Sequence, residues 1–594
     1  MKKSNIVLFA ALIVLMSVSF WGFVGIKFIS KVYGENDFRE YIYYLSSKYE
    51  NVRYPNIQRK EDSLIVAYQN LYDVQNYKLK LSFDIPNKII FGNLEMNALN
   101  LSDTLNKVYI NLVSDMRVNY VKLGGIEINY SHFNDYIIIN TKDTKDAKNK
   151  ITSSKDFAIE INYQGSPRNM GFDSFSFKNF DNEPAIYTLS EPDYAPSWWP
   201  CKDLPDDKTT FEMTITVPPP LTAVSNGLLL EIKDESNGDK TFYWRSTYPI
   251  TTYLVSIAIG KYDQWNESYR SLDGSKQMPV EYYTYPSYTE KARTDWKNTV
   301  EMIEYFSKTF GEYPFINEKY GMAMFGWIGG AMEHQTISSI GYTLVTGTGK
   351  YENVVVHELV HQWFGDAVSP ALWKDIWLNE GFASYGEALW EEFKNGKEAY
   401  KNFMKKEDYG YFQGTVYNPE GFIFGPTVYN KGAWCLHMLR GVVGDSVFFK
   451  IVRTYFEKFK FKNATTQDFK GVCEEVLGTD LTYFFDQWIF AGTGRPNYKY
   501  SWKADDFQDQ HNSGVYTLRL NLRQIQEDYD VYKMPVKVTI KTDRGSQELN
   551  FFNDKKTQQF EHPVNGKPIE VLIDNENWIM KKIEKEDYKD SFIN

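Results

Sequence analysis

The feature of this 594-residue chain that most constrains its fold is the segment VVVHELVHQWFGD, residues 354–366. It places His357 and His361 four positions apart. Side chains at i and i+4 lie one above the other on an α-helix, so both imidazoles can reach one metal ion if the segment is helical. Glu358 would lie beside that ion, where it can take a proton from water. The spacing therefore predicts a helix with two metal ligands and a general base.

A third ligand is expected on the next helix, because a catalytic zinc has three protein ligands and an open fourth position. Glu380 lies in WLNEGFASYGEALW, with eighteen residues between it and His361. It would begin a helix that returns antiparallel and brings a carboxylate to the metal. Spacing alone leaves this assignment open, since acidic residues are common at helix starts. A structural histidine pair is the alternative for the whole motif, but it would not need the intervening Glu358.

Composition excludes several classes of protein. Hydrophobic residues make up 43% of the chain and charged residues 24%, which is typical of globular domains with sizeable cores. The 77 acidic and 66 basic side chains give a net charge of −11, which argues against a nucleic-acid partner. The three cysteines, one of which, Cys201, we expect in the core, cannot form a disulfide framework.

The first thirty residues differ from the rest of the chain. An uncharged run of twenty-three residues, 4–26, lies between Lys3 and Lys27. It is longer than the apolar stretch of a signal peptide and long enough to span a bilayer. We therefore predict a signal anchor at 1–30, with a cleaved signal peptide as the alternative, and a stalk at 31–71. The expected location is a membrane anchored by this N-terminal helix, with catalytic domains in the periplasm or at the cell surface; the protein is secreted if the signal is cleaved.

The remaining chain divides into three regions by hydrophobic period. Alternation typical of strands is found in 72–268 and again in 497–594, and helical spacing dominates 269–496. The predicted fold class is multidomain α+β, in the order β domain, mostly helical domain with the HExxH motif, and small β domain.

Four short motifs resemble those of one protein family. HELVH, WLNEGFA, GGAMEH and VYNKGA are similar to the motifs of the gluzincin aminopeptidases, which include aminopeptidase N and leukotriene hydrolase. The resemblance runs from about residue 72 to 594. It implies an N-terminal β saddle domain, a thermolysin-like catalytic domain and a small C-terminal β-sandwich. It also implies one Zn²⁺ per chain, held by His357, His361 and Glu380, with Glu358 as the general base.

The resemblance assigns further residues. Glu333 and Glu191 would bind the free α-amino group of a peptide, and Tyr429 would donate a hydrogen bond to the oxyanion. Gly330 and Ala331 would line the cleft through backbone groups. His334 stands where the family has Asn, and Gly329 has no side chain to narrow a pocket, which favours bulky first residues.

Two acids near the motif, Asp366 and Asp375, are candidates to accept hydrogen bonds from the ligating histidines, because such histidines usually donate their other N–H to a carboxylate or carbonyl.

The predicted function is a zinc-dependent aminopeptidase that acts on peptides with a free N-terminus, with oligomerisation left open. A metallo-endopeptidase would need the zinc site without Glu333 and Glu191. An epoxide hydrolase occurs in this family, but no residue indicates a lipid epoxide. A non-catalytic binding protein would normally show substituted ligands, and all of them are intact.

Overall fold

The computed structural model describes residues 63–141, 155–506 and 514–589. A β-rich region is followed by a largely helical region and a second β region, which confirms the predicted multidomain α+β fold class. The predicted anchor at 1–30 and most of the stalk lie outside the described residues. The last part of the segment predicted as a stalk contains helix α1, Ser63–Gln69.

The N-terminal region is built from three sheets. Its strands are β1 Tyr72–Asp84, β2 Ile89–Asn100, β3 Lys107–Asn111, β4 Arg117–Leu123, β5 Ile126–Glu127, β6 Tyr130–Phe133, β7 Tyr136–Asn140, β8 Asp156–Gly165, β9 Phe175–Phe180, β10 Glu183–Thr188, β11 Thr209–Val217, β12 Thr222–Ser225, β13 Leu228–Asp234, β14 Lys240–Ile250 and β15 Ile257–Gly260. An eight-stranded sheet has the order β13-β14-β11-β1-β2-β8-β4-β5, beside β3-β7-β6 and β12-β15-β10-β9. Along β1, the apolar residues Tyr77, Leu79 and Leu81 are buried, as period-two alternation requires.

The catalytic region begins with a sheet and continues as helices. Its strands and helices are β16 Asp263–Arg270, β17 Gln277–Thr284, α2 Thr289–Asp295, α3 Thr299–Phe310, β18 Tyr320–Phe325, β19 Ala331–Met332, β20 Ser338–Gly341, α4 Glu352–Val360, β21 Val368–Pro370, α5 Trp377–Asn395, α6 Lys397–Lys406, the π-helix Thr427–Lys431, α7 Gly432–Val443, α8 Asp445–Phe459, β22 Lys462–Ala464, α9 Thr466–Leu477, α10 Thr482–Phe485 and a second π-helix, Asp486–Phe490. The sheet order is β16-β17-β18-β20-β19, so β19 is an edge strand. The domain boundary predicted between 268 and 269 falls inside β16.

The C-terminal region has two small sheets. Its strands are β23 Asn497–Asp506, β24 Val515–Gln524, β25 Met534–Thr542, β26 Gly545–Asn553, β27 Thr557–Asn565, β28 Pro568–Ile573 and β29 Lys582–Lys585. The sheet orders are β27-β24-β23-β29 and β26-β25-β28. Phe551 on β26 and Phe560 on β27 pack with ring centroids 4.6 Å apart, so side chains of the two sheets meet in one core.

The prediction of a membrane-anchored protein requires a correction. A spanning helix needs about 20 consecutive, mainly apolar residues. In the ranges that the structure describes, no helix is long and apolar enough to cross a membrane. The longest, α5, has 19 residues and carries Glu380, Glu387, Glu391, Glu392 and Lys394. The expected membrane location is therefore withdrawn, and the run at 4–26 on which it rested lies outside the described residues.

Candidate active site

One cavity of about 630 Å³ collects every residue that the sequence indicated as catalytic, substrate-binding or metal-binding. The N-terminal region contributes Glu191, from the loop after β10, and the catalytic region contributes the others. The predicted residues that line the cavity are Glu191, Gly330, Ala331, Glu333, His357, Glu358, His361, Glu380 and Tyr429.

Two helices hold the three predicted metal ligands together. His357 lies in α4, His361 directly follows its last residue, and Glu380 lies in the first turn of α5. The Oε2 atom of Glu380 is 3.2 Å from Nε2 of His357 and 3.4 Å from Nε2 of His361. Tetrahedral zinc with bonds of about 2.0–2.1 Å places neighbouring donor atoms about 3.3 Å apart. The spacing of these donors fits zinc.

The other ring nitrogens determine which way the histidine lone pairs point. Nδ1 of His357 lies 2.9 Å from Oε1 of Glu387, and Nδ1 of His361 lies 3.1 Å from the carbonyl oxygen of Phe364. A carboxylate and a carbonyl only accept hydrogen bonds, so Nδ1 is the donor in both rings. In the neutral rings, both Nε2 lone pairs then face the Glu380 carboxylate. Three electron-pair donors directed at one region are the arrangement that a metal cation requires.

The charges of the site also favour a cation. Burial would lower the pKa of His357, but Glu380 and Glu387 raise it well above the usual value on balance. Burial would raise the pKa of Glu380, but His361 and His357 lower it to about 2. The carboxylate of Glu380 is therefore ionised at neutral pH and stabilises positive charge at this point.

Glu358 lines the cavity beside the metal ligands. Among the described residues, neither of the two groups of possible metal donors includes it. Its side chain is buried, and burial raises the pKa of its carboxyl group to about 8, against the opposing effect of His357. A carboxyl group that titrates near neutral pH can accept a proton and release it again within one catalytic cycle.

Glu191 and Glu333 form a second acidic group next to the metal ligands. Oxygen atoms of Glu191, Glu333 and Glu380 lie within 4.8 Å of one another. Burial, followed by the charge of Glu333, raises the pKa of Glu191 well above its usual value. Both carboxylates are buried, and Oε1 of each has no hydrogen-bond partner among the residues that the structure describes. Buried oxygens of this kind require a donor, and a bound ammonium group supplies three N–H.

Tyr429 is held over the site by a widened helical turn. It lies in the π-helix Thr427–Lys431, and its ring stacks on His357 with centroids 5.8 Å apart and planes inclined by 15°. Directly after this turn, Gly432 contacts Gly381 of α5, the neighbour of Glu380. A Cβ atom on Gly432 would lie 2.9 Å from the Cα atom of Gly381. Glycine thus permits the close helix contact that brings Tyr429 to the metal ligands.

The predicted hydrogen-bond acceptors for the ligating histidines were wrong. Asp375 accepts from the backbone N–H and the hydroxyl of Thr466 and so caps α9. The carboxylate of Asp366 accepts no hydrogen bond from either histidine. The acceptors are Glu387 and the Phe364 carbonyl, neither of which was predicted from the sequence. Glu387 lies seven residues after Glu380, two turns along one face of α5, and this spacing was the available signal.

The structure also shows the surroundings of three other residues discussed from the sequence, His334, Cys201 and Gly329. His334 is buried, does not line the cavity, and its Nδ1 lies 2.8 Å from the hydroxyl of Ser339; burial lowers its pKa to about 3. Cys201 is buried in the core, as expected. Gly329 lines the cavity. A Cβ atom there would lie 2.3 Å from the indole of Trp327, so this glycine admits the indole ring.

Comparisons with known proteins agree with this architecture. Residues 295–488 match the Peptidase family M1 domain and residues 73–254 match the Peptidase M1 N-terminal domain, together more than half of the chain. Probable aminopeptidase 1 of Sulfurisphaera tokodaii is 25% identical over 519 residues, 81% of this chain and 61% of the relative. Human glutamyl aminopeptidase is 30% identical over 330 residues, 51% of this chain and 34% of the relative. The chain thus spans less than two thirds of the length of these curated relatives.

Solved structures also share this architecture. Legionella pneumophila aminopeptidase A in complex with aspartic acid superposes with a TM-score of 0.74 at 17% identity, covering 87% of this chain and 60% of that one; this likeness shows the fold alone. The M1 zinc metallopeptidase from Deinococcus radiodurans has a TM-score of 0.63 at 25% identity, covering 72% and 95%.

The β-rich first domain, the helical second domain and the HExxH donor set with a carboxylate from the following helix define a zinc-metallopeptidase architecture. The chain belongs to peptidase family M1. Zn²⁺ is the metal of this family, and the two imidazoles and one carboxylate fit it.

Proposed function

We propose that the protein is a zinc-dependent aminopeptidase that removes single residues from the free N-terminus of peptides. One observation carries the proposal: two buried carboxylates with unpartnered oxygens, Glu191 and Glu333, converge beside the metal ligands. Glu380 belongs both to the metal-donor group and to this acidic group. An amine held by the two acids is therefore only one residue's length from the metal.

The names of similar proteins support this assignment. The relatives from Sulfurisphaera tokodaii and Homo sapiens are named aminopeptidases, and the Deinococcus radiodurans protein is a zinc metallopeptidase for which a complex with a Tyr-Ser-Ala substrate has been solved. The intact donor set argues against a non-catalytic binding protein.

The proposed reaction uses the chain's own groups in sequence. When bound, Zn²⁺ would polarise the scissile carbonyl and lower the pKa of water. Glu333 and Glu191 bind the α-ammonium group and fix the first residue of the peptide. Glu358 accepts a proton from the attacking water and delivers it to the leaving amine. The Tyr429 hydroxyl, for which burial raises the pKa well above its usual value, remains protonated and donates to the oxyanion.

Binding of the α-ammonium group positions the peptide so that one residue is removed at a time. Burying an ammonium ion is costly unless charge compensates for it, and the two carboxylates provide that compensation. They favour the charged N-terminus and hold the first peptide bond near the metal. An internal segment of a peptide has no ammonium group, so it lacks this interaction.

The test compares matched peptides with free and N-acetylated ends, before and after chelation and zinc restoration. We expect kcat/KM to be at least 100-fold higher for the free peptide, and Glu333→Ala to reduce this selectivity, with Glu191→Ala milder because one carboxylate remains. Comparable cleavage of both peptides by the wild type would instead identify a metallo-endopeptidase.

A further inference from the structure

Aromatic side chains form one side of the active-site cavity. Phe172 lies at their centre, with ring centroids 5.8 Å from Trp327, 6.1 Å from Phe422 and 6.1 Å from Phe424. We call these four residues the aromatic wall; all of them line the cavity. Ile328, beside them, also lines the cavity and is 69% exposed, so the wall continues into an apolar rim.

The aromatic wall joins the three segments that carry the substrate-binding groups. Phe172 packs on Tyr194, three residues after Glu191, with ring centroids 6.2 Å apart. Trp327 precedes Glu333 by six residues, and Phe424 precedes Tyr429 by five. The wall therefore lies alongside both the amine-binding acids and the oxyanion donor.

This placement indicates which part of a peptide contacts the wall. With the amine at Glu191 and Glu333 and the first carbonyl at the metal ligands, the first Cα atom lies between them. The side chain on that Cα atom must leave the line between amine and carbonyl. The aromatic wall links the segments at both ends of that line, so a side chain that leaves the line on this side of the cavity contacts the wall.

The charges in the cavity exclude an acidic first side chain. Its lining includes the carboxylates of Glu191, Glu333, Glu358, Glu380 and Glu387. Among the described residues that line it, none is lysine or arginine. A carboxylate in the first side chain would be desolvated next to these acids, with no lysine or arginine in the lining to pair with it, which is unfavourable.

We propose that the aromatic wall selects peptides whose N-terminal residue has an aromatic or large aliphatic side chain and rejects N-terminal aspartate and glutamate. This inference depends on the proposed aminopeptidase function. It separates the chain from its relatives named glutamyl aminopeptidase and from the aminopeptidase A solved with aspartic acid. Stacking and apolar burial on four rings provide the affinity.

The experiment measures kcat and KM of the zinc-loaded protein for aminoacyl-coumarin amides of phenylalanine, leucine, alanine and glutamate. We expect phenylalanine and leucine to exceed alanine by about 10-fold or more in kcat/KM, as burial of several carbons in an apolar pocket allows, and glutamate to be lowest. Phe424→Ala should lower kcat/KM for phenylalanine at least 10-fold and leave alanine within about twofold. Phe552→Ala, at a half-exposed position in the C-terminal region, is the matched control and should change neither.

A binding measurement separates this inference from the proposed function. Glu358→Gln is titrated calorimetrically with free L-phenylalanine, L-alanine and L-glutamate, and only L-phenylalanine should bind measurably, more weakly in the Phe424→Ala, Glu358→Gln double variant. A protein that hydrolyses glutamate or alanine amides as well as phenylalanine amides would overturn the inference and leave the aminopeptidase intact. Absence of hydrolysis with all four amides would count against the proposed function itself.

Discussion

Glu387 lies outside the predicted metal-ligand set but fixes the ring orientation of one ligand, His357. Its two oxygens accept hydrogen bonds from Nδ1 of His357 and from the amide of Asn353, both at 2.9 Å. We therefore expect Glu387→Ala to weaken zinc binding about 10–100-fold, because the ring of His357 loses its orientation. Glu387→Gln should restore most of the affinity, since the amide oxygen still accepts. Competition with a fluorescent chelator measures this, with Glu391→Ala, one turn further along α5, as the control. Unchanged affinity in Glu387→Ala would contradict the role.

Glu358 provides a second test at the scale of single residues. Glu358→Gln keeps the size of the side chain but cannot take a proton, so we expect kcat to fall by about 10²–10⁴-fold. Zinc content, measured by atomic absorption, should stay at that of the wild type, because Glu358 is outside the metal-donor group. A variant that turns over like the wild type would show that another group transfers the proton.

The residues of the predicted metal site could be picked out from the sequence because helical spacing is local. His357, His361 and Glu358 follow from one turn of helix, and the structure brings them into one cavity. The partners of the histidine Nδ1 atoms depend instead on which way each neighbouring acid points. Asp366 and Asp375 are near in sequence but turn away, whereas Glu387 returns along α5. Such directions are set by helix packing, which no local pattern contains.

At the scale of elements, the contact between α5 and α7 controls the position of Tyr429. A Cβ atom at Gly432 would meet backbone atoms of Gly381, which cannot move aside without shifting a helix. We expect Gly432→Ala to cost about 1–3 kcal/mol in stability, as overpacking does, and to lower kcat at least 10-fold by displacing Tyr429.

Gly471 is the matched control for this prediction. It lies inside α9, where an added Cβ atom has no heavy atom within 4 Å. Gly471→Ala should therefore stabilise the protein by up to about 1 kcal/mol, through helix propensity alone. Thermal unfolding and kcat of both variants provide the comparison. Equal effects of the two substitutions would contradict the packing argument.

Elements with a local signal could be predicted, and those made by tertiary contacts could not. The capping box of Thr465 and Asp468 is present at the start of α9, and Gly478 ends that helix in the left-handed region. The π-helix Thr427–Lys431 has no such signal. Its wide turn accompanies the close approach of Gly432 to Gly381, a contact between residues 51 positions apart in the chain.

At the scale of the whole molecule, the N-terminal region forms hydrogen bonds with the segment that carries Glu333. The turn Ser225-Asn226-Gly227 connects β12 to β13. In the structure, the Asn226 amide donates to the Gln335 carbonyl at 2.7 Å, and the Thr336 hydroxyl accepts from the Gly227 N–H at 2.8 Å. Lys319, just before β18, completes the contact by donating to the carbonyls of Ser225 and Gly227. The position of Glu333, the proposed amine-binding acid, thus depends on both regions.

Lys319 makes this interface sensitive to pH. It is fully buried, and burial lowers its pKa from 10.5 to about 8, although Glu281 and Glu318 oppose the shift. The unfolded chain therefore binds more protons between pH 8 and 10.5, so stability rises with pH in this window. The neutral amine still donates N–H to both carbonyls, so the interface persists.

Relative to Lys319→Met, the free energy of unfolding of the wild type should increase by about 2 kcal/mol between pH 7.5 and pH 9.5. Urea unfolding of both proteins at the two pH values measures the gain, with Lys107→Met, exposed on β3, as the control that should follow the wild type. If the difference between wild type and Lys319→Met is the same at both pH values, the buried lysine does not titrate and the interface owes its stability to other groups.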